Sequence, residues 1–276
     1  MVEKKDSEKL VLGYIAGSGH SGSTLTDILL GTQAGVSSFG ELKNLADVRD
    51  GGLAKGLCTC GAELELCNVW GMVLHRLQSQ GFSLEMNNHK HNAFKEFAGA
   101  LLAGLRHETQ SQVIVESSKG VKRFSRYRGI PWLDAKLIHL VRDGRAVAFS
   151  NQRKGRDFFA SLETWVKDQQ NILRFKRRYL THEDYVCVRY EDLVQNPSII
   201  ISDVVAFLSG TKPQSVSLQW ASRVRHNIGG NRMRRGEQSV IKVDDEYKRS
   251  ISDSDWERCW DAASEELGWF DYGPLR

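Results

Sequence analysis

Four short apolar segments are spaced along the chain, and each is followed by a segment with helical periodicity. They read LVLGYIA (10–16), QVIVES (112–117), KLIHLV (136–141) and YVCVRY (185–190). Runs of this length, rich in Val, Ile and Tyr, predict buried β-strands. Strands that alternate with helices predict an α/β fold, a three-layer parallel sheet whose ligands bind at the carboxyl ends of the strands.

A long segment, roughly residues 42–110, separates the first two of these strands. It has helical periodicity in FKEFAGA and LLAGLRH but no obvious strand. Such a helical insertion forms either a lid over an acceptor site or extra packing for the core, and the pattern favours neither. No repeat, low-complexity tract or Pro/Gly/Ser linker divides the sequence, so we expect residues 1–276 to form a single domain.

Composition narrows the class of protein. The chain has 276 residues, of which 41% are hydrophobic and 26% charged, as is typical of a globular protein with one substantial core. Its net charge of +4 favours an anionic ligand over general nucleic-acid binding. A charged N-terminus, no long apolar run and five cysteines predict a cytoplasmic protein with reduced thiols and no membrane partner.

A loop rich in glycine and serine follows the first strand. From Gly17 it reads GSGHSGST, which matches the nucleoside-triphosphate pattern G-x-x-x-x-G-K-[ST] except that Ser23 replaces the lysine. Glycines permit a tight turn, and the N–H groups at a helix N-terminus attract an anion. Without the lysine, and without a convincing magnesium-binding aspartate, the loop suits a single phosphate better than a triphosphate. A simple turn with a Ser/Thr N-cap is the alternative.

A second anion site is predicted after the KLIHLV strand. Arg142 leaves the end of that strand, and Ser150 lies about two helical turns farther on. An arginine fork and a hydroxyl at this spacing can reach the same phosphate.

Three segments, SGHSGSTL, LVRDGRAVAFS and VRYEDLVQNP, together resemble the sulfotransferases that use 3′-phosphoadenosine-5′-phosphosulfate (PAPS). They follow the family's order and cover roughly residues 10–234. The resemblance implies a bacterial-type enzyme that transfers a sulfuryl group to a hydroxyl or amine of a small molecule, without a metal, and releases adenosine 3′,5′-bisphosphate (PAP). In that family the first loop holds the 5′-phosphosulfate, so the missing lysine is expected.

The resemblance also implies which residues bind PAPS. The family usually has Lys or Arg where His20 stands, and a neutral imidazole offers one donor and no charge. For the Arg-rich run 223–235, a solvated basic face or a nucleic-acid patch is the alternative. The implied cofactor-binding residues are Gly19, His20, Ser21, Gly22, Ser23 and Thr24 at the 5′ end, Arg142 and Ser150 at the 3′-phosphate, and Asn231 and Arg234 in HNIGGNRMRR, which closes over the nucleotide.

Two further matches concern the chemistry. Glu41, in GVSSFGEL, follows a predicted strand end and is similar in position to the catalytic glutamate of tyrosylprotein sulfotransferases, which makes it the expected base. Lys119, in VIVESSKGVKRF, is similar in position to the lysine that faces their leaving group. Many bacterial relatives read Asp-Ser-Ser-Lys there, whereas this chain begins with Glu116. His20 is the third expected catalytic group. The alternatives are a helix N-terminal carboxylate for Glu41 and an exposed lysine for Lys119.

Three cysteines lie close together in LCTCGAELELCNVW, namely Cys58, Cys60 and Cys67, and His75 follows them. The spacing C-x-C-x₆-C is not a common structural zinc pattern and no fourth ligand stands out. We therefore expect local packing or an opportunistic disulfide here, and no metal.

Three classes of function are compatible with these patterns. A PAPS-dependent sulfotransferase is expected, a non-catalytic nucleotide- or polyanion-binding protein is the alternative if His20 disables the loop, and a nucleotide kinase is the third. The pattern does not define the acceptor: a carbohydrate, a phenol and a secondary-metabolite alkaloid all fit. It does not predict an oligomeric state.

Overall fold

The computed structural model describes residues 9–46, 57–88, 92–221, 223–230, 232–235 and 241–275. Their strands form one parallel five-stranded sheet in the order β2-β3-β1-β4-β5. This confirms the predicted α/β class. The four predicted segments are β1, β3, β4 and β5, and β2 supplies the strand end expected before Glu41. The bounds are β1 Leu10–Ala16, β2 Val36–Ser38, β3 Val113–Lys119, β4 Leu133–Val141 and β5 Tyr185–Arg189.

Helices connect the strands, and short 3₁₀ turns lie at Leu42–Asn44, Leu64–Leu66, Leu84–Asn88 and Arg232–Arg235. None of the described helices is both long and apolar enough to cross a membrane. The α-helices are α1 Ser23–Leu30, α2 Trp70–Ser79, α3 Asn92–Thr109, α4 Val121–Tyr127, α5 Gly144–Gln152, α6 Phe158–Tyr179, α7 Tyr190–Gln195, α8 Pro197–Ser209, α9 Glu246–Ser250 and α10 Asp253–Gly268.

The central strand β1 shows why the sheet is covered on both faces. Leu10, Leu12 and Tyr14 are fully buried in a cluster with apolar residues of α2, α3 and α4. Ile15 is buried in a second cluster, formed with α1 and α8. Successive side chains of a strand point to opposite faces, so a continuous apolar strand requires helices on both sides. The layers are therefore helix, sheet and helix.

The described part of the 42–110 insertion is helical, as predicted. FKEFAGA and LLAGLRH belong to one helix, α3, whose Phe94, Phe97 and Leu101 are fully buried in the first cluster. This packing favours a role in the core. The proposed lid role remains a prediction.

A single residue after the insertion extends the edge of the sheet. Ile228 pairs in parallel with Gly40. Its N–H donates to the Phe39 carbonyl at 2.9 Å, and its carbonyl accepts from the Glu41 N–H at 2.8 Å. The 225–230 segment is thereby attached to the strand end that carries Glu41.

Candidate active site

Two glycines shape the loop between β1 and α1. Gly17 has φ 154°, and a Cβ there would lie 2.3 Å from the carbonyl oxygen of Leu140 in β4. Gly22 has φ 91°, and its Cβ would lie 2.3 Å from the ring of Tyr190 at the start of α7. A side chain has no room at either position, so the loop lies directly against β4 and α7.

The loop presents hydrogen-bond donors that suit an anion. Ser21 is fully buried, and within the described part of the chain its hydroxyl has no hydrogen-bond partner. Gly22 is the N-cap of α1 and has no side chain with which to cap the first N–H groups of that helix. A buried hydroxyl left unpaired costs about 1–3 kcal/mol, and an anion at this loop would satisfy it.

Helix α6 supports the loop from the side. The Ser18 hydroxyl donates to Oδ2 of Asp168 at 2.8 Å and accepts from Nε2 of Gln169 at 3.1 Å. Burial raises the pKa of Asp168 above its ordinary value, against the effect of the Ser18 hydrogen bond. Sequence analysis missed these residues; the only signal was a polar pair, Asp168 and Gln169, beside the apolar positions of an amphipathic helix.

His20 stands at the outer turn of the loop in a left-handed conformation, with φ 67°. The Nζ of Lys154, from the segment after α5, lies 3.4 Å from both ring nitrogens. Burial lowers the pKa of His20 to about 4, and the charges of Lys154, Arg156, Arg142 and Lys119 contribute to the shift. The imidazole is therefore neutral at pH 7, and the positive charge beside the loop comes from Lys154.

Arg142 follows β4 and is almost fully buried. Its guanidinium donates to the His20 carbonyl at 3.2 Å and to Oδ2 of Asp244 at 2.9 Å. It also lies over the ring of Tyr190, 4.7 Å from the centroid. Arg142 therefore joins the loop to β4, and the carboxylate of Asp244 already accepts from one of its N–H groups.

The remaining predicted nucleotide residues are only partly located. Ser150 is half-buried on α5, the helix that begins just after Arg142. Arg234 is buried on the 232–235 turn and donates to the carbonyl of Gly229. A Cβ on neighbouring Gly230 would lie 3.2 Å from the hydroxyl of Thr24, so this segment reaches the start of α1. Asn231 lies outside the described residues.

Glu41 and Lys119 meet at the ends of β2 and β3. Lys119 Nζ donates to Oε1 of Glu41, and Lys43 Nζ lies 3.3 Å from Oε2. Burial alone would raise the pKa of Glu41, but the charges and hydrogen bonds of Lys119 and Lys43 outweigh it and hold the pKa below its ordinary value. Glu41 is therefore ionised and able to accept a proton.

A buried network fixes the turn that carries Lys119, whose φ is 72°. Glu116 is fully buried and accepts from the Ser118 N–H at 2.7 Å and from Arg123 Nε at 3.0 Å. Arg123 also donates to Oδ1 of Asn87 at 2.7 Å. Glu116, at the position where many relatives have aspartate, therefore holds the turn in place. Sequence analysis noted Glu116 but not its partner.

A cavity of about 820 Å³ opens beside Lys119 and the phosphate loop, between the carboxyl ends of the strands and α6. Its wall includes Gly17 and Gly19 of the loop, and the apolar Ile172 and Phe175 of α6. Most of the charged residues in the wall are cationic, and Asp168 is the one acidic residue among the described residues that line it. The cationic residues are Lys43, Lys119, Lys122, Arg123, Arg126, Arg174 and Arg178.

The cysteine segment lies close to this site but not in it. Cys58, Cys60 and Cys67 are free thiols that converge with His226, so of the two expected alternatives, local packing and an opportunistic disulfide, the described residues show no disulfide. His75 is exposed on α2 and does not belong to the cluster. His226 is separated from the last of the three cysteines by 158 residues of sequence, so no local spacing predicts that it joins them.

Comparisons with known proteins concern the family and the fold of the chain. A model of the sulfotransferase family matches residues 14–212. The sulfotransferase domain of the Synechococcus PCC 7002 olefin synthase shares 22% identity over 91% of each chain, with a TM-score of 0.57. The sulfotransferase domain from the curacin biosynthetic pathway shares 20% identity over 94% of this chain and 99% of its own, with a TM-score of 0.56. No curated protein matches the sequence.

Proposed function

This chain belongs to the sulfotransferase family, and we propose that it transfers the sulfuryl group of PAPS to a hydroxyl or amine of a small-molecule acceptor. The observation that supports this donor best is the buried, unpartnered hydroxyl of Ser21 at the uncapped start of α1. A loop with that donor and no lysine fits a 5′-phosphosulfate better than a triphosphate. The free thiols fit a cytoplasmic enzyme.

The proposed nucleotide site has two ends. The N–H groups and hydroxyls of residues 19–24 would hold the 5′ end, with the charge of Lys154 beside His20. Arg142 and Ser150 would hold the 3′-phosphate, and Arg234 would approach from the 225–235 segment. Since Asp244 is bound to Arg142 in this structure, the 3′-phosphate must compete with that carboxylate.

The proposed chemistry depends on the Glu41–Lys119 pair. PAPS, when bound, supplies a sulfuryl group with PAP as its leaving group. Glu41 accepts the proton of the acceptor as the new bond to sulfur forms, and Lys119 donates to the oxygen released when the old bond breaks. When Lys119 turns toward that oxygen, Glu41 loses the larger of the two charges that lower its pKa and becomes a stronger base.

The charge of the cavity supports an acceptor that carries an anionic group. Lys122, Arg174 and Arg178 line its wall on exposed positions. Arginine forks of this kind bind carboxylates and phosphates well. Ile172 and Phe175 offer an apolar surface for the rest of the molecule.

The test measures ligand binding and PAP release separately. Thermal unfolding is followed with PAP, adenosine 5′-phosphate, or ATP with magnesium; a ligand at 100 times its Kd stabilises the fold by about 2.7 kcal/mol. PAP release from PAPS is then measured with matched hydroxyl acceptors that have or lack a carboxylate. We expect stabilisation by PAP above all, and release that is faster with the anionic acceptor.

Two outcomes would contradict the proposal. Stronger stabilisation by ATP with magnesium would favour a kinase. Stabilisation by PAP without release with any acceptor, equally in the wild type and in Glu41→Gln, would favour a non-catalytic nucleotide-binding protein.

A further inference from the structure

Three thiols and one imidazole converge outside the proposed active site. Cys58 and Cys60 lie on a tight turn, in which the Gly61 N–H donates to the Cys58 carbonyl at 3.0 Å, and Cys67 ends the 64–66 turn. His226 comes from the 225–230 segment. One ligand atom from each residue lies within 4.8 Å of all the others, and Cys58 and Cys67 are almost completely buried.

The distances within this cluster match those of a tetrahedral zinc site. Zn–S bonds of about 2.3 Å and Zn–N bonds of about 2.0 Å place sulfur atoms about 3.8 Å apart, and sulfur about 3.5 Å from nitrogen. The sulfur atoms of Cys58 and Cys67 are 3.8 Å apart. Nδ1 of His226 lies 3.6 Å from the sulfur of Cys58 and 3.2 Å from that of Cys67.

The surrounding hydrogen bonds hold these ligands in place. The Trp70 N–H donates to the Cys67 sulfur at 3.5 Å, and the Trp70 indole donates to the His226 carbonyl at 2.7 Å. The Thr59 hydroxyl donates to the Arg225 carbonyl at 2.7 Å and accepts from the Asn227 N–H at 2.9 Å. Partners of this kind orient the ligands of metal sites in proteins.

A disulfide does not account for the arrangement. The sulfur atoms of Cys58 and Cys67 are 3.8 Å apart, far from the roughly 2.0 Å of a disulfide bond. A disulfide between them would also leave Cys60 and His226 directed at the same point without a function. Three thiolates and an imidazole fill all four positions of a tetrahedral zinc ion, which is the pattern of structural rather than catalytic zinc.

We propose that Cys58, Cys60, Cys67 and His226 bind one structural zinc ion, with release of the three thiol protons to solvent. The ion joins the 57–70 segment to the 225–230 segment. Two residues beyond His226, Ile228 pairs with the strand end that carries Glu41. Zinc therefore holds the expected base in place through the protein backbone and takes no part in sulfuryl transfer.

The test is the metal content of the full chain, purified without chelators and with any affinity tag removed. Mass spectrometry of the metals should find about one zinc per chain, and Cys67→Ser and His226→Ala should each lower it to below about 0.2. His75→Ala and Cys187→Ser are the matched controls, since neither residue belongs to the cluster, and both should retain the zinc.

A second measurement uses the wild-type protein, so that the test does not depend on whether the variants fold. The reduced wild-type protein is stripped of metal and loaded with cobalt(II), which should give the intense visible bands of a tetrahedral ion and a thiolate-to-cobalt charge-transfer band. A wild type that contains no zinc and takes up neither zinc nor cobalt after reduction would overturn the proposal. So would retention of zinc by His226→Ala, or a Cys58–Cys67 disulfide in the freshly purified protein.

Discussion

The phosphate loop and the cysteine–histidine cluster are both suited to hold a charged group, but they are built in opposite ways. The loop is continuous in sequence, and its capacity comes from backbone N–H groups that Gly17 and Gly22 allow to turn. The cluster joins Cys58 to a histidine 168 residues away and depends on side chains. A site built from backbone tolerates most side-chain changes except at its glycines, whereas a site built from side chains fails when one ligand is lost.

The two regions are nevertheless connected through residue 227. Asn227 Nδ2 donates to Oδ2 of Asp27 in α1, at 2.5 Å. Its neighbours on either side are His226 of the cluster and Ile228, which pairs with Gly40. The variants below test whether nucleotide binding, proton transfer and fold stability can be changed separately in the two regions.

The largest loss of activity is expected from a change at Glu41, which lies at the strand end to which the segment of His226 is attached. Glu41→Gln should lower kcat by about 10² to 10⁴, as is typical of a lost general base, and should leave the Kd for PAP within about a factor of three. In the wild type, kcat/KM should persist below the ordinary pKa range of glutamate, because the pKa of Glu41 is lowered. Steady-state kinetics and PAP titration measure both.

Glu163→Gln, an exposed position on α6, is the control. A Glu41→Gln enzyme with near-normal kcat would return Glu41 to the alternative of a helix N-terminal carboxylate.

The second-largest effect is expected on the free energy of unfolding. It comes from Asp27, whose carboxyl group contacts Asn227 between the two regions. Burial raises the pKa of Asp27 from 3.8 to about 7, against hydrogen bonds that lower it. Below about pH 4 both the folded and unfolded states keep this proton. Between about pH 4 and 7 only the folded state keeps this proton. The free energy of unfolding therefore falls as the pH rises, by up to about 4 kcal/mol, and it remains lower above pH 7.

Asp27→Asn should lack this loss. The free energy of unfolding of the variant, relative to wild type, should therefore increase between pH 4 and 8, as measured by urea denaturation. Asp203→Asn, an exposed position on α8, should show no such increase. A constant difference for Asp27→Asn over that range would contradict the assignment.

A smaller effect is expected for Arg142, on the nucleotide side. Arg142→Ala should weaken PAP binding by about 1.5–3 kcal/mol, because a charge-assisted fork to the 3′-phosphate is lost. Binding of adenosine 5′-phosphate should be nearly unchanged. Calorimetry with both ligands measures the difference, and equal losses would remove Arg142 from this role.

The charge of Lys154 beside the loop should have a weaker effect on nucleotide affinity, and this effect should depend on pH. Lys154→Ala should lower PAP affinity about three- to tenfold at pH 8, since a phosphate loses one nearby cation. The pKa of His20 should rise in this variant, because the charge of Lys154 contributes to its depression. Burial, the largest cause of the depression, remains in the variant, so affinity should recover only as the pH falls from 8 toward the raised pKa of His20.

NMR titration of His20 measures this shift directly. In the double variant Lys154→Ala with His20→Arg, affinity should be restored at every pH in that range. A double variant as weak as Lys154→Ala alone would show that the position of Lys154, and not its charge, matters.

The smallest effect is expected at Asp244. Its carboxylate binds Arg142 and is about one-third exposed, so Asp244→Asn should tighten PAP binding only about two- to fivefold. Asp245→Asn is the neighbouring control, because Asp245 contacts Arg249 and not Arg142. Weaker PAP binding in Asp244→Asn would mean that Asp244 supports the nucleotide site and does not compete for it.

Sequence analysis predicted best the parts whose positions are determined by their neighbours in sequence. β1, its glycine loop and α1 are continuous, and Arg142 follows β4 directly, so parallel topology brings them to one edge of the sheet. Sequence analysis also placed Glu41 and Lys119 at strand ends, but it did not predict the contact between their side chains. Asp168, Lys154 and Asp244 were not predictable, because tertiary contacts from distant helices and loops bring them to the site.

The cysteine cluster shows the same limit more sharply. His75 was the nearest histidine in sequence, but its helix turns it to solvent, whereas His226 reaches the sulfurs through pairing of the 225–228 segment with the 58–60 turn and β2. A ligand set drawn from two distant segments has no regular spacing to detect.

The pairing of Ile228 with Gly40 also has a consequence for self-association. β2 is the outermost strand at its end of the sheet, and exposed strand edges pair readily with other chains. Ile228 occupies the Phe39 carbonyl and the Glu41 N–H, two groups just beyond β2 with which a neighbouring molecule could otherwise pair. Detachment of the 225–230 segment would uncover these groups, so we expect Ile228 both to fix the backbone beside Glu41 and to limit edge-to-edge association at this end of the sheet.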